Sequence, residues 1–468
     1  MPLLRVLDLR DRDRNPADVL PRPRIDVGAA RADVTQILDA VRERGDAALR
    51  AFTSRFDGIE LDGLAVPPDV LDSALVALEG QLRAALERAA AQVRWFHERA
   101  RPSDWTAEHA GARLGQRFRP LGRVGVYVPG GLAAYPSTVI MTAVPARVAG
   151  VGEVVLCTPP TGGGGWPNRT ILAAAALLDV DLVLRIGGAQ AIAAMAYGTE
   201  SVPACDKIVG PGNIYVTLAK QLVQSQGHCG IDAAAGPTEV AIIADRTADP
   251  RMVAADLVAQ AEHDELATCL LVTPEEALVD RVQDALDTEV AGTRHRERVA
   301  AALEGQGAVI LVDDLDHALD VVDAFAPEHL EVQTADAASL AERVRCAGAV
   351  FVGASTPVSL GDYAAGPNHT LPTSGTARFR GGLSTSDFLV PVNWVEYGED
   401  ALAELAPTVR GLAAAEDLPA HARAVDIRLG RPRPGGGRQE GPSVAGGRAE
   451  GPAGGGWQDR DGGGWDLL

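Results

Sequence analysis

From Gly122 onward, the sequence alternates short runs of β-forming residues with Ala-rich stretches of helical character. The β-rich runs are, in chain order, VGVYV, EVVLC, LVLRI, EVAIIA, TCLLVT, AVILV, LEVQT and AVFVG. This alternation is typical of βαβ units, in which a helix returns the chain so that the next strand lies parallel to the last. The runs form two series of four, the first ending with EVAIIA. The sequence therefore predicts an α/β fold with two α/β layers.

The regions on either side of this alternation differ from it. Residues 30–102 carry apolar residues at three- and four-residue spacing, which predicts long amphipathic helices. Residues 432–468 are so rich in Gly and polar residues that burial cannot offset the entropy cost of ordering them. We predict a disordered tail there, in which Trp457 and Trp465 belong either to a dispensable extension or to a docking motif. The length of 468 residues favours two or three domains over one.

The net charge restricts the partners of the chain. A formal charge of −20 disfavours binding to nucleic acid or to an anionic membrane, because the average surface would repel both. The first residues are too charged for a signal peptide, and no run reaches the roughly 18 uncharged apolar residues of a spanning helix. We therefore expect a cytoplasmic protein with a small-molecule partner. The five cysteines are scattered and form no CxxC pair, so we assign them no chemistry.

One helix start is clear at Asp249-Pro250, because Asp caps free backbone donors and Pro suits the first helical position. The predicted helix places Gln260 and His263 three residues apart on one face near its C-terminal end. This is a spacing found in metal sites. A histidine at a helix end, however, more often completes a surface hydrogen bond or favours the helix dipole.

Other candidate residues occur in three later segments. Glu328 and His329 stand side by side before a predicted strand, where they form either a proton-transfer pair or a capped loop. Asp362 and His369 lie in a long polar stretch rich in Gly and Pro, which is typical of a functional loop. Glu416 and His421 form the last pair, on or beside a predicted C-terminal helix. An isolated pair of this kind would ordinarily belong to a solvated helix face.

Four of these residues together have the composition of a zinc site. Gln260, His263, Asp362 and His421 offer two imidazole nitrogens and two oxygens, which suit Zn²⁺ better than Ca²⁺ or Mg²⁺. Residue types alone do not show that side chains so far apart in the chain converge. A zinc hydrolase acting on a small amino compound, with Glu328 activating water, and a non-enzymatic metal-binding or scaffold protein therefore remain alternatives. The chain lacks the H-E-x-x-H motif common in such hydrolases.

From about residue 25 to residue 430, the sequence closely resembles the histidinol dehydrogenase family. The resemblance is carried, in chain order, by VGVYVPGG, YPSTVIMTAVPA, RIGGAQAIAAMAYGT, KIVGPGNIYV, AGPTEV, DLVAQAEHD, FAPEHLE, GDYAAGPNHTLPT, GGLS and AEDLPAHARAV. One departure is Thr238, where the family often has Ser; both carry a hydroxyl group. The resemblance implies an NAD-linked, zinc-dependent, four-electron oxidation of L-histidinol via L-histidinal to L-histidine at the end of histidine biosynthesis.

The resemblance also implies the role of each site residue. One Zn²⁺ per subunit would be held by Gln260, His263, Asp362 and His421. Glu328 and His329 would handle protons, and NAD would be contacted by Tyr127, Gln190 and Asn213. The substrate would be contacted by Thr238, Gln260, His263, His329, Asp362, His369, Glu416 and His421. The NAD assignment depends on the resemblance alone, because no strand is followed by a complete G-x-G-x-x-G motif.

The fold that the resemblance implies consists of two Rossmann-like α/β domains with parallel sheets, a helical N-terminal region and a small helical C-terminal unit. The expected boundaries are 1–126 for the helical region, which packs on the first α/β domain, and 127–238 for the second, NAD-side domain. Residues 239–382 continue the first domain and carry metal ligands, 383–431 form a dimerisation unit, and 432–468 form the tail. The implied assembly is a homodimer with shared active sites, in which Glu416 and His421 come from the partner.

Overall fold

The computed structural model describes residues 3–10, 16–23, 28–130, 134–161, 164–233 and 236–431. The predicted tail, including Trp457 and Trp465, lies outside the described residues. The described part of the chain separates into two compact units. The larger unit comprises the described residues of Met1–Trp105 and Gly115–Trp394, and the smaller one comprises Thr106–Leu114 and the described residues from Val395 onward.

The strands, in chain order, are β1 (Arg5–Asp8), β2 (Trp105–His109), β3 (Ala112–Pro120), β4 (Arg123–Tyr127), β5 (Glu153–Cys157), β6 (Leu182–Leu184), β7 (Lys207–Val209), β8 (Gly230–Ile231), β9 (Glu239–Ala244), β10 (Thr268–Thr273), β11 (Gly307–Leu311), β12 (His329–Gln333), β13 (Ala349–Val352) and β14 (Leu389–Tyr397). Two sheets are parallel throughout. One has the strand order β6-β5-β4-β7-β8, and the other has the order β1-β11-β10-β9-β12-β13. A third sheet has the order β14-β3-β2.

The α-helices are α1 (Pro16–Val19), α2 (Gly28–Arg44), α3 (Asp46–Asp57), α4 (Pro68–Val76), α5 (Gly80–Ala100), α6 (Pro136–Ala149), α7 (Arg169–Leu177), α8 (Gly188–Tyr197), α9 (Ile214–Ser225), α10 (Pro250–Ala261), α11 (Glu276–Gly292), α12 (Arg296–Gln306), α13 (Leu315–Phe325), α14 (Ala337–Ala341), α15 (Val358–Tyr363), α16 (Glu399–Ala415) and α17 (Pro419–Arg428). No helix in the described part of the chain combines the length and the apolar character that crossing a lipid bilayer requires.

The central strands of both parallel sheets are buried on their two faces, which explains their almost uninterrupted apolar runs. In β9, for example, Val240 and Ile242 belong to one apolar cluster, whereas Ala241 and Ile243 belong to another on the opposite face. The predicted fold class, with two parallel α/β sheets, is therefore confirmed. EVAIIA, the last run of the first series, is β9 of the six-stranded sheet, which also contains the four runs of the second series.

The N-terminal helical region is confirmed, but its long periodic segments are interrupted. Gly45 separates α2 from α3, and its positive φ of 50° ends the first helix. In the smaller unit, α16 packs against α17, and the Arg410 guanidinium donates a 2.7 Å hydrogen bond to Asp426. The expected small helical C-terminal unit includes α16, which is 17 residues long.

The loop after β7 closely approaches the end of β4. Gly210 has a φ of 117°, and a Cβ atom at this position would collide with the backbone carbonyl of Tyr127. The peptide groups of Gly210 are also held by a buried ion pair: Asp232 accepts from its N–H at 2.7 Å, and Lys220 donates to its carbonyl at 2.9 Å. The glycine is therefore required both by conformation and by space.

This close approach predicts that Gly210→Ala is much more costly than an ordinary glycine replacement. Gly58 is a matched control, because its φ is also positive, at 69°, but its Cβ would face open space. Gly58→Ala should lower the free energy of unfolding by about 1 kcal/mol. Gly210→Ala should lower it by clearly more, as measured by urea denaturation. Equal losses in the two variants would contradict the proposed collision.

Candidate active site

An acidic and a basic side chain meet at the amino end of β12. Glu328 directly precedes this strand and His329 begins it, and both side chains are buried. The backbone of Glu239, at the start of the parallel neighbour β9, holds them both. Its N–H donates to Glu328 Oε2 at 3.0 Å, and its carbonyl lies 3.1 Å from His329 Nδ1. The pairing of two strand ends thus fixes two proton-transfer groups side by side.

The hydrogen bond to the Glu239 carbonyl determines the tautomer of His329. A carbonyl oxygen can only accept, so Nδ1 of His329 carries the hydrogen and donates it. Nε2 is then the position at which a neutral ring accepts a proton. Burial lowers the pKa of His329, which keeps the ring neutral at physiological pH. His329 therefore has the protonation state required of a general base.

Glu328 has a pKa that suits proton exchange near neutrality. Burial raises the pKa of this carboxyl group to about 7, against hydrogen bonds that favour the charged form. The stronger of those bonds comes from the Thr238 hydroxyl, which donates to Glu328 Oε2 at 2.5 Å. A glutamate in this state can take up and release a proton within the neutral pH range.

Thr238 connects Glu328 to the end of α10. The side-chain amide of Gln260 donates to the Thr238 hydroxyl at 2.5 Å, and that hydroxyl in turn donates to Glu328. Because the side-chain nitrogen of Gln260 makes this contact with Thr238, the oxygen of the same amide, Oε1, points away from Thr238. This oxygen is buried and has no hydrogen-bond partner among the described residues. An orphaned amide oxygen of this kind is unusual and requires an explanation.

The carboxylate of Asp362 lies between the rings of His263 and His329. His263 Nε2 is 3.8 Å from one carboxylate oxygen of Asp362, and His329 Nε2 is 3.9 Å from the other. Within the described ranges, no three His, Cys, Asp or Glu side chains are grouped so that they could hold a metal ion. The donors brought together here are instead an imidazole and a carboxylate, and Gln260, whose amide oxygen is unpartnered, is three residues before His263 in the chain.

His369 is half-buried between Asp362 and the first turn of α6. Its Nδ1 donates to the backbone carbonyl of Asp362 at 2.9 Å, and its Nε2 lies 3.3 Å from the Thr138 hydroxyl. Burial lowers the pKa of His369 to about 4, so the ring is neutral at physiological pH. His369 thus links the segment that carries Asp362 to α6, the helix between β4 and β5 of the five-stranded sheet.

The structure corrects two local expectations. The helix that starts at Asp249-Pro250 is confirmed, with Asp249 accepting from the Arg251 N–H, but it ends at Ala261, and His263 lies just beyond it. Asp362 lies on α15 rather than in a loop, because the six residues after Pro357 form a short helix.

The candidate residues are divided between the two units. Seven of them form the cluster in the larger unit: Thr238, Gln260, His263, Glu328, His329, Asp362 and His369. In the smaller unit, Glu416 ends α16 and His421 lies in the first turn of α17, and both are exposed. Glu239 was not predicted, because it acts through backbone atoms, which leave no mark on residue type.

The three residues predicted to contact NAD line one cavity of about 690 Å³. They are Tyr127, Gln190 and Asn213, which follow or end strands β4, β6 and β7 at the carboxyl edge of the five-stranded sheet. The Tyr127 hydroxyl accepts from the Gly188 N–H at 3.1 Å, and the Asn213 side chain caps α9. The cavity has the volume typical of cofactor and ligand sites, and it lies where α/β sheets ordinarily bind them.

The family model for histidinol dehydrogenase matches residues 20–429 of the chain. The chain belongs to the histidinol dehydrogenase family. Similar curated relatives include the histidinol dehydrogenases of Thermobifida fusca, 51% identical over 91% of this chain and 97% of that protein, and of Nocardia farcinica, 52% identical over 90% and 97%. The crystal structure of histidinol dehydrogenase from Elizabethkingia anophelis matches 92% of this chain and 99% of that one, with a TM-score of 0.89 and 33% identity.

Membership of the histidinol dehydrogenase family has two consequences. It makes the chain an oxidoreductase of histidine biosynthesis, rather than a hydrolase or a scaffold protein. It also confirms the resemblance predicted from the sequence motifs, over nearly the whole described chain.

The contact between Thr238 and Glu328 predicts how the pKa of Glu328 responds to mutation. The Thr238 hydroxyl favours the ionised carboxylate, so Thr238→Val should raise the pKa of Glu328 above about 7. It should also cost about 1–3 kcal/mol of stability, because Gln260 loses its acceptor. Isotope-edited NMR of the glutamate carboxyl groups in metal-free protein would measure the pKa. Thr238→Ser should keep it, and an unchanged pKa in Thr238→Val would rule out this hydrogen bond.

Proposed function

We propose that the chain is an NAD-linked, zinc-dependent L-histidinol dehydrogenase, which oxidises L-histidinol via L-histidinal to L-histidine in the cytoplasm. The observation that carries the proposal is the buried Glu328–His329 pair beside an unpartnered Gln260 oxygen. A four-electron oxidation of an alcohol needs a base for the hydroxyl proton and a base for water. The two side chains supply both within one site.

The side chains beside this pair fit a zinc ion. Zinc accepts nitrogen and oxygen ligands, and the buried oxygen of Gln260 lacks any other partner in the described structure. His263 and Asp362 supply the imidazole and the carboxylate, with 3.8 Å between their nearest donor atoms. We propose His421 of a second subunit as the fourth ligand. When bound, Zn²⁺ would orient the amine and imidazole nitrogens of the substrate.

The cavity at the carboxyl edge of the five-stranded sheet fits NAD. The glycines at its wall let the backbone come close to a ligand, as at Gly187 and Gly188, where a side chain would collide with Pro159 or Gln190. Tyr127, Gln190 and Asn213 offer the polar contacts. NAD would supply the hydride acceptor in both oxidation steps.

The side chains of the cluster divide the proton transfers between them. His329 accepts the hydroxyl proton of the alcohol at Nε2 while the carbinol carbon loses a hydride. Glu328 then accepts a proton from the water molecule that adds to the aldehyde carbon, for which its pKa of about 7 is well matched. His329 returns its first proton to the aldehyde oxygen as the water adds, and it then accepts a second proton as the hydrate is oxidised. Thr238, His369 and the partner's Glu416 would position the substrate.

The decisive experiment is the stoichiometry of the reaction. Purified enzyme with Zn²⁺ and excess NAD should form two equivalents of NADH for each L-histidinol, and L-histidine should be the product. One equivalent would show that oxidation stops at the aldehyde, and none would contradict the proposed activity. Enzyme treated with a chelator serves as the control and should lose activity that added Zn²⁺ restores.

The proposed sharing of active sites between subunits can be tested by complementation. We expect His263→Ala and His421→Ala to be inactive alone, because each lacks one metal ligand. Refolded together, about half of the dimers would be mixed, and each would contain one intact site. Activity should therefore recover to roughly a quarter of that of wild-type protein refolded in parallel. No recovery, in mixtures shown to form dimers, would place all ligands within one subunit.

A further inference from the structure

A second pair of acidic side chains lies deeper between α10 and β12. Glu331 is 1% exposed, and its carboxyl group is hydrogen-bonded to that of Asp256. Two carboxylates this close cannot both be ionised in a buried environment, so the pair retains one proton. Burial, with the charge of Asp256 adding to it, raises the pKa of Glu331 to about 8. The reaction described above makes no use of this pair.

The positions of the two acids connect them to the active site. Asp256 is four residues before Gln260 on α10, so both project from the same face of that helix. Glu331 is two residues after His329 on β12, so both project from the same face of that strand. The side-chain nitrogen of Gln333 joins the acids, donating to Asp256 at 2.9 Å and to Glu331 at 2.8 Å.

Glu331 also holds the start of α15. Its second oxygen, Oε1, accepts a 3.0 Å hydrogen bond from the backbone N–H of Val358, the first residue of that helix. Asp362 lies four residues further along α15. A single acid pair therefore makes contact with the three elements that carry Gln260, Asp362 and His329, namely α10, α15 and β12.

We propose that the Glu331–Asp256 pair is a positioning element, which fixes α10 and α15 on β12 and so sets the spacing between Gln260 and Asp362. The inference rests on the proposed zinc site. An apolar pair would fill this space without the cost of burying two acids, but it could not accept from the Val358 N–H. The acids are thus explained by the directional contacts that they make.

The test measures zinc affinity by chelator competition in the full-length enzyme. Glu331→Leu should weaken zinc binding by about 10-fold or more, because it frees the start of α15. Val332→Ala is the matched control: this residue is fully buried in the next position of β12 and faces the opposite side. It should lower stability but keep zinc affinity within about threefold of wild type.

A second set of variants keeps the test decisive if Glu331→Leu does not fold. Asp256 is only half-buried, and both Asn and Leu are close to it in size. Asp256→Asn should retain zinc affinity, because its amide supplies a permanent hydrogen to Glu331, whereas Asp256→Leu should lose it. Hydrogen exchange of the Val358 amide should be faster in Glu331→Leu than in Val332→Ala.

The outcomes separate this inference from the proposed zinc site. If wild-type enzyme binds no stoichiometric zinc, both fail. If wild type binds zinc and Glu331→Leu and Asp256→Leu bind it equally well, the inference alone is overturned. Equal weakening by Val332→Ala would also overturn it, because the effect would then reflect general loss of stability.

Discussion

The parallel pairing of β9 with β12 is the constraint on which the active site depends. Parallel strands bring like ends together, and the register that places His329 opposite Val240 puts both amino ends at the same level. Glu239 can then reach Glu328 and His329 with two atoms of its own backbone. The distance between acid and base is thus set by a sheet ladder, which is among the most rigid frameworks that a chain can offer.

This framework holds an unusual density of buried acids. The side chain of Glu239, like that of Glu328, has a pKa raised to about 7 by burial, and Arg22 offsets part of the cost through a 3.2 Å ion pair. One of the Glu239 oxygens remains without a partner in the described structure. Such a core is less stable than an apolar one of equal volume, because each buried polar group must be compensated. The proposed proton chemistry near neutral pH explains why Glu328 is kept there.

The sequence predicted the strands that are apolar, and it missed the strands that are short or polar. The eight β-rich runs all contain strands, and most of these are buried on both faces, which selects mainly aliphatic residues. By contrast, β1 and β2 are largely exposed and carry charged residues, so they gave no signal. Residue types identified Gln260 and Asp362 as candidate metal ligands, but they could not show whether the two side chains lie close together. The helix that carries Asp362 begins at Val358, whose N–H donates to Glu331. No local sequence pattern can show a tertiary contact of this kind.

The two candidate ligand regions lie at opposite kinds of sheet edge, the carboxyl edge of the five-stranded sheet and the amino edge of the six-stranded sheet. Their electrostatic character is therefore opposite. Helices begin at the carboxyl edge of a parallel sheet and end at its amino edge. The cavity lined by Tyr127 therefore faces the starts of α8 and α9, where the helix macrodipole is positive and favours a pyrophosphate group. Gln260 and His263 instead lie at or just beyond the end of α10, where the macrodipole is negative and favours a cation. The same βαβ architecture thus separates the region proposed to bind the anionic cofactor from the region proposed to bind the metal cation.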